Sequence, residues 1–137
     1  MSGTVVTLTR TKTQAAGTEL PLRGRAADAL TAWLKKRDCD EGPLFVGIHR
    51  NGRQLGRMNG RAIDRIVRSR AEAAGIDVSN IGAHSLRVGF LTEAGRRGIL
   101  LTDAMEMSRH RTLRIAMDYY ERGRLERNAA VDLLNQG

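Results

Sequence analysis

The sequence is short of several residue types, and each shortage excludes something. Cys39 is the only cysteine among 137 residues, so no internal disulfide can form and no Cys-x-x-Cys pair is available for zinc. A reducing, intracellular setting is the expectation. No apolar run approaches the length of a membrane span, and the opening MSGTVVTLTRTK lacks the apolar stretch of a secretory signal, so the expected location is the cytoplasm, with no membrane partner. Lysine is nearly missing, with only Lys12, Lys35 and Lys36 present. Aromatic residues make up 4% of the chain, so the pair Tyr119–Tyr120 stands out. Internal repeats and low-complexity segments are absent.

What is abundant is arginine. Lys and Arg together number 23 against 15 Asp and Glu, for a net charge of +8, and all but three of the basic residues are arginines. Such a balance points to a polyanionic partner, nucleic acid first. Arginine suits it through planar, bidentate contacts with phosphate. A GC-rich coding bias would give the same composition, so charge alone assigns no function. The length suits one domain with one hydrophobic core.

Residues 4–11, TVVTLTRT, are β-branched and partly alternating, QAAG supplies a turn, and TELPL at 18–22 returns, which predicts a β-hairpin with Lys12 where the first strand meets the turn. RAADALTAWLKKRD predicts a helix with Ala27, Leu30 and Leu34 on its apolar stripe and Trp33 packed beside it. PLFVGIHRNGRQLG at 43–56 predicts a strand, a turn at Asn51–Gly52 and a returning strand, with His49 at the surface. A second helix over about 59–74 carries Ile63, Ile66, Val67 and Ala71 inward and ends at Gly75, leaving Arg61, Arg65 and Arg68 for phosphate or for water. Helices at about 84–97, 102–109, 112–121 and 125–135 follow, with joints at Gly98 and His110. The expected class is therefore α+β and mostly α, with a small antiparallel sheet near the N-terminus (4–22 and 44–56) and helices from about residue 24 onward.

Within AHSLRVGFLTEAGRRG, His84 and Arg87 are three residues apart and share a helix face, so they could grip one phosphate or simply be a helix start and a solvated arginine. In MSRHRTLRIAMDYYERG the apolar stripe is Leu113, Ala116, Met117 and Tyr120, which marks Tyr120 for packing. Tyr119 falls about 100° round the helix, off that stripe, where its hydroxyl could face a cleft. Lys12, unlike arginine, can be tuned to give up a proton, and is either a general acid or a solvated lysine at a turn.

Together these residues resemble the tyrosine recombinase, or phage integrase, family. HSLRVG is similar to its His-x-x-Arg box, RTKT to its β-hairpin lysine, and RHRTLRIAMDYY to its second histidine and nucleophilic tyrosine, nine residues apart as His110 and Tyr119 are. Val88 and Gly89 after the boxed arginine resemble the Cre branch. The resemblance runs from about Val5 to the C-terminus and implies the helical DNA breaking-rejoining catalytic domain. It implies strand cleavage through a 3′-phosphotyrosyl link formed by Tyr119, with Arg87 and His110 on the phosphoryl oxygens, His84 orienting the tyrosine or taking its proton, and Lys12 protonating the departing 5′-oxygen. Neither metal nor other cofactor is implied. The partner is double-stranded DNA.

One element of the family pattern is missing: a further catalytic arginine on a helix ahead of the sheet, together with the N-terminal DNA-clamping domain. The expectation is that residues 1–137 form the larger C-terminal part of a catalytic domain, nearly inert by itself. The tail RLERNAAVDLLNQG, with Leu125, Ala129, Val131, Leu133 and Leu134, is expected to dock on a neighbouring protomer in a tetramer on paired DNA sites. A non-catalytic basic DNA-binding module and a type IB topoisomerase-like enzyme are the alternatives.

Overall fold

The computed structural model describes residues 4–8, 17–37, 40–128, 130 and 133, so Lys12, Arg10, Cys39, Ala129, Val131, Leu134 and residues 14–16 of the turn expected over 14–17 lie outside the described residues. The chain divides into two compact units, Met1–Met58 and Asn59–Gly137. As expected, it is mostly helical with small antiparallel sheets near the N-terminus. Among the described residues no helix is long and apolar enough to cross a membrane.

In the first unit, β1 (Thr4–Leu8) pairs antiparallel with β2 (Thr18–Leu22), Thr4 facing Leu22 and Leu8 facing Thr18. Both strands alternate half-buried and exposed residues, as a period of two with one covered face requires. β3 (Val46–Ile48) and β4 (Gln54–Arg57) form a separate two-stranded sheet, so the expected sheet is two hairpins. Their turn falls at Asn51–Gly52 as read from the sequence: Gly52 takes φ +86 and its N–H donates to the His49 carbonyl at 2.8 Å, with His49 exposed. Between the hairpins, α1 spans Arg25–Lys36. Its covered side is Ala27, Leu30 and Trp33, while Leu34 is exposed. Trp33 takes the place expected for Leu34 because the larger indole covers more surface and its Nε1–H reaches the Leu44 carbonyl at 2.8 Å.

The second unit opens with α2 (Gly60–Ala73), started by Asn59, whose Oδ1 accepts from the Ala62 N–H at 2.9 Å. Its half-buried positions include Asp64, Val67 and Ala71, whereas Ile63 and Ile66 are 42% and 48% exposed. The covered face is thus rotated from the expected stripe and includes Asp64, whose polar partners are described below. α3 (Ala83–Arg97) ends at Gly98, whose φ of +67 is the left-handed conformation that a side chain resists; the Ile99 N–H then returns to the Ala94 carbonyl at 3.0 Å. α4 (Leu101–Ser108) and α5 (Leu113–Glu126) follow.

The core of this unit is Leu91, Ala94, Ala104 and Ala116, with Leu101, Met105, Tyr119 and Tyr120 packed against it. Small residues dominate because α3 and α5 cross backbone to backbone. A Cβ on Gly95 would collide with the Tyr120 carbonyl oxygen, and one on Gly123 with that of Thr92. This corrects two expectations. α5 is one unbroken helix through Gly123 to Glu126, with no joint between 121 and 125, since Gly123 serves the crossing and does not end the helix. Its inward side is Ala116, Tyr119, Tyr120 and Gly123, while Leu113 and Met117 of the expected stripe are exposed.

Candidate active site

α3 begins at Gly82, which has no side chain to cap it, so its first N–H groups depend on other residues. The Gly82 N–H donates to Ser85 Oγ at 3.1 Å, and the Ala83 N–H donates to Asp64 Oδ1 of α2 at 2.8 Å. Asp64 is held from the other side by Arg68, whose Nε donates to its Oδ2 at 2.9 Å and whose Nη1 donates to the Val78 carbonyl at 3.0 Å. The Ala83 N–H first, and Arg68 second, hold the Asp64 carboxyl below the usual carboxylate range. Arg68 is therefore engaged within the protein, unlike the expectation that left it to phosphate or water. A Cβ at Gly82 would lie 2.5 Å from Asp64 Oδ1, so a side chain there would displace this carboxylate from its seat.

The first two turns of α3 thus fixed carry His84 and Arg87, both exposed. Arg87 reaches the segment that ends α4. Its Nη2 donates to the Arg109 carbonyl and its Nε to His110 Nδ1 at 3.4 Å. The same Nδ1 lies 2.8 Å from Ser108 Oγ. Arg109 is the only non-glycine residue with positive φ among those described, at 57°, and this left-handed step turns the chain out of α4. Burial, then the Arg87 guanidinium and then His84 push His110 below the ordinary histidine value of 6.5, so its ring is neutral at neutral pH.

Tyr119 and Tyr120 both lean on the core and differ at their hydroxyls. The Tyr120 hydroxyl donates to the Ile99 carbonyl at 2.7 Å and so is tied to the loop after α3. The Tyr119 hydroxyl makes no hydrogen bond among the described residues, and Arg122 lies over its ring at 5.7 Å from the centroid. The structure brings Arg87 and His110 into direct contact, with His84 close enough to bias the ring, while Tyr119 makes no hydrogen bond to them. Lys12 lies outside the described residues. Among the described residues no group of three or more His, Cys, Asp or Glu side chains is placed to hold a metal ion.

Sequence reasoning missed Asp64, Ser108 and Arg109. Asp64 lay outside the expected stripe of α2, and a carboxylate on the helical face shared by Val67 and Ala71 was the available signal. For Arg109 no local signal existed, because arginine is not a residue that marks a left-handed step.

The sequence profile of the phage integrase family matches residues 1–124. A protein of Selenomonas ruminantium described as an integrase/recombinase xerD homolog is 29% identical over 108 residues, which is 78% of this chain and 32% of that protein. Tyrosine recombinase XerC of Corynebacterium efficiens is 36% identical over 103 residues, 73% of this chain and 31% of its own length. The chain thus spans about a third of the length of these curated relatives.

Proposed function

The chain belongs to the phage integrase family, and from that premise we propose that it carries most of a catalytic site that cleaves and rejoins double-stranded DNA through Tyr119. The observation that carries this reading is the contact between Arg87 and His110, residues 23 apart in sequence, together with a tyrosine pair of which, among the described residues, one hydroxyl is bonded and the other is not. The Tyr119 oxygen attacks phosphorus, the bond to the 5′-oxygen breaks, and a 3′-phosphotyrosyl link forms. His84 takes the phenolic proton, and Lys12 supplies one to the leaving 5′-oxygen. Arg87 and the His110 N–H donate to the phosphoryl oxygens as charge develops there. No cofactor enters the scheme: the phosphotyrosyl link replaces the phosphodiester bond that was broken, and attack by the 5′-hydroxyl on phosphorus with the phenol leaving reverses it.

Residues 1–137 supply one arginine to this phosphate where the family's site uses two. Losing one preorganised donor typically costs about 10² to 10³ in rate, so the chain alone is nearly inert. The tail, with Leu125 and Leu133 exposed, is proposed to dock on a neighbouring protomer in a tetramer on paired DNA sites. Placement in the Cre branch, from Val88–Gly89, belongs to the same proposal.

One experiment tests the reading. Nicked suicide DNA is offered to this chain and to a version extended upstream through the second arginine, each as wild type, Tyr119→Phe and Tyr120→Phe. The extended wild type and its Tyr120→Phe variant form covalent product, the extended Tyr119→Phe variant forms none, and the chain alone forms at least 100-fold less. Covalent product from Tyr119→Phe overturns the assignment of the nucleophile. Equal cleavage by the two lengths overturns the need for the second arginine.

A further inference from the structure

Two donors meet on one nitrogen of His110. Ser108 Oγ lies 2.8 Å from Nδ1, and Arg87 Nε lies 3.4 Å from the same atom. A neutral imidazole nitrogen carries either a hydrogen or a single in-plane lone pair, and the N–H groups of a guanidinium only donate. The approach of Arg87 therefore makes Nδ1 the acceptor. With Nδ1 an acceptor, the Ser108 hydroxyl has to donate as well, and the ring hydrogen sits on Nε2. The two bonds are unequal, since 2.8 Å is a normal hydrogen bond and 3.4 Å is at the outer edge of one. Ser108 is thus the main restraint on the ring. Its place is fixed by α4, of which it is the last residue, and the left-handed Arg109 brings the ring two residues on back over its hydroxyl. Ser108, Arg109 and His110 are all half-buried, so water competes weakly for the bond.

We propose that Ser108 is a positioning residue: its hydroxyl, seated on Nδ1, holds the His110 ring where Arg87, which can only donate, keeps Nδ1 the acceptor, and so presents Nε2–H as the donor of the site. A proton added to Nδ1 would face the Arg87 guanidinium, which after burial is the next cause of the lowered His110 value. His110 consequently donates as a neutral group. That the acceptor is a phosphoryl oxygen rests on the function proposed above, whereas the tautomer does not.

The test reads the ring nitrogens of the whole 137-residue chain by two-bond ¹H–¹⁵N correlation, above pH 6.5. Wild type shows two widely separated shifts, bare Nδ1 and protonated Nε2. In Ser108→Ala the two shifts move toward one another as the tautomers mix, and Ser108→Thr, which keeps the hydroxyl, restores the separation. In the version extended upstream, Ser108→Ala lowers the single-turnover cleavage rate at saturating DNA about tenfold with the half-saturating concentration unchanged, and Ser108→Thr recovers it. A wild-type ring with its hydrogen on Nδ1 overturns the proposal. So does a Ser108→Ala ring indistinguishable from wild type, or a loss of cleavage that Ser108→Thr does not recover. If the ring nitrogens behave as stated while Tyr119→Phe still yields covalent product, the recombinase reading fails and the Ser108 role stands.

Discussion

Leu91, Ala94, Ala104 and Ala116, together with Gly95 and Gly123, are the buried residues of the described chain, and all lie after Met58, whereas the hairpins and α1 before it bury no described residue completely. The first unit is held by strand pairing and half-covered side chains, the second by two helix backbones in contact. Buried apolar area contributes in proportion to its extent, so the half-covered Leu30 and Trp33 give less each than their size allows. In the second unit the side chains are small and the gain comes from close packing, which tolerates little added volume. The ion pair of Arg96 with Glu126, 2.6 Å long, also joins α3 to α5 but is exposed, and such pairs add little. His84, Arg87, His110 and Tyr119 all belong by sequence to the second unit and Lys12 to the first.

A single methyl group is the sharpest way to break this contrast. Gly123→Ala forces a Cβ into the Thr92 carbonyl, and the second unit loses about 3 kcal/mol or more, read as a fall in the helical melting transition by circular dichroism. Leu30→Ala, which removes more atoms from the first unit, costs only about 1 kcal/mol because its side chain is half-covered, read from the fluorescence of Trp33, the only tryptophan. A Leu30→Ala cost matching that of Gly123→Ala would erase the distinction. A smaller effect of opposite sign is expected at Arg109: glycine relieves the left-handed backbone, and Arg109→Gly stabilises by about 1 kcal/mol in urea unfolding while keeping the carbonyl that Arg87 uses.

Smallest are the effects of pH. His110 binds its proton less readily folded than unfolded, so its contribution is complete above 6.5 and is lost as pH falls from there through its lowered folded value. Asp64, Asp77 and Glu93 are also lowered, so their contributions are complete above the ordinary carboxylate range and disappear as pH drops through their folded values. Midpoint against pH should therefore show two declines on acidification, and His110→Gln should remove the first. An unchanged upper decline in His110→Gln would assign it elsewhere.

Patterns that act over a few residues were legible in the sequence. The Asn51–Gly52 turn, the start of α2 at Asn59 and the end of α3 at Gly98 each follow from the conformation one residue prefers. The stripe that marked only Tyr120 for packing was misjudged: both tyrosines lean on the core and differ only at their hydroxyls, while Leu113 and Met117 are exposed. What escaped depends on partners far along the chain. Asp64 serves an N–H 19 residues away, and its own neighbourhood shows only that a carboxylate sits at a covered helical position, not which group it meets. Periodicity counts apolar side chains, so Gly95 and Gly123 are invisible to it although they decide where α3 and α5 meet. The spacing of small residues along α5, Ala116 and Gly123 seven apart, was the available hint.

The glycine crossing has a mechanical meaning. Most helix contacts are cushioned by side chains that change rotamer when one helix is displaced. Gly95 and Gly123 have none, and each meets a main-chain carbonyl directly, one of them that of Tyr120 itself. A push on α5 therefore reaches α3 without being absorbed. The crossing thus sets the main chain of Tyr120, next to Tyr119, directly against α3, the helix that carries Arg87. The freedom left to the Tyr119 hydroxyl is rotation about the two χ angles of its own side chain, under the Arg122 guanidinium that covers the ring.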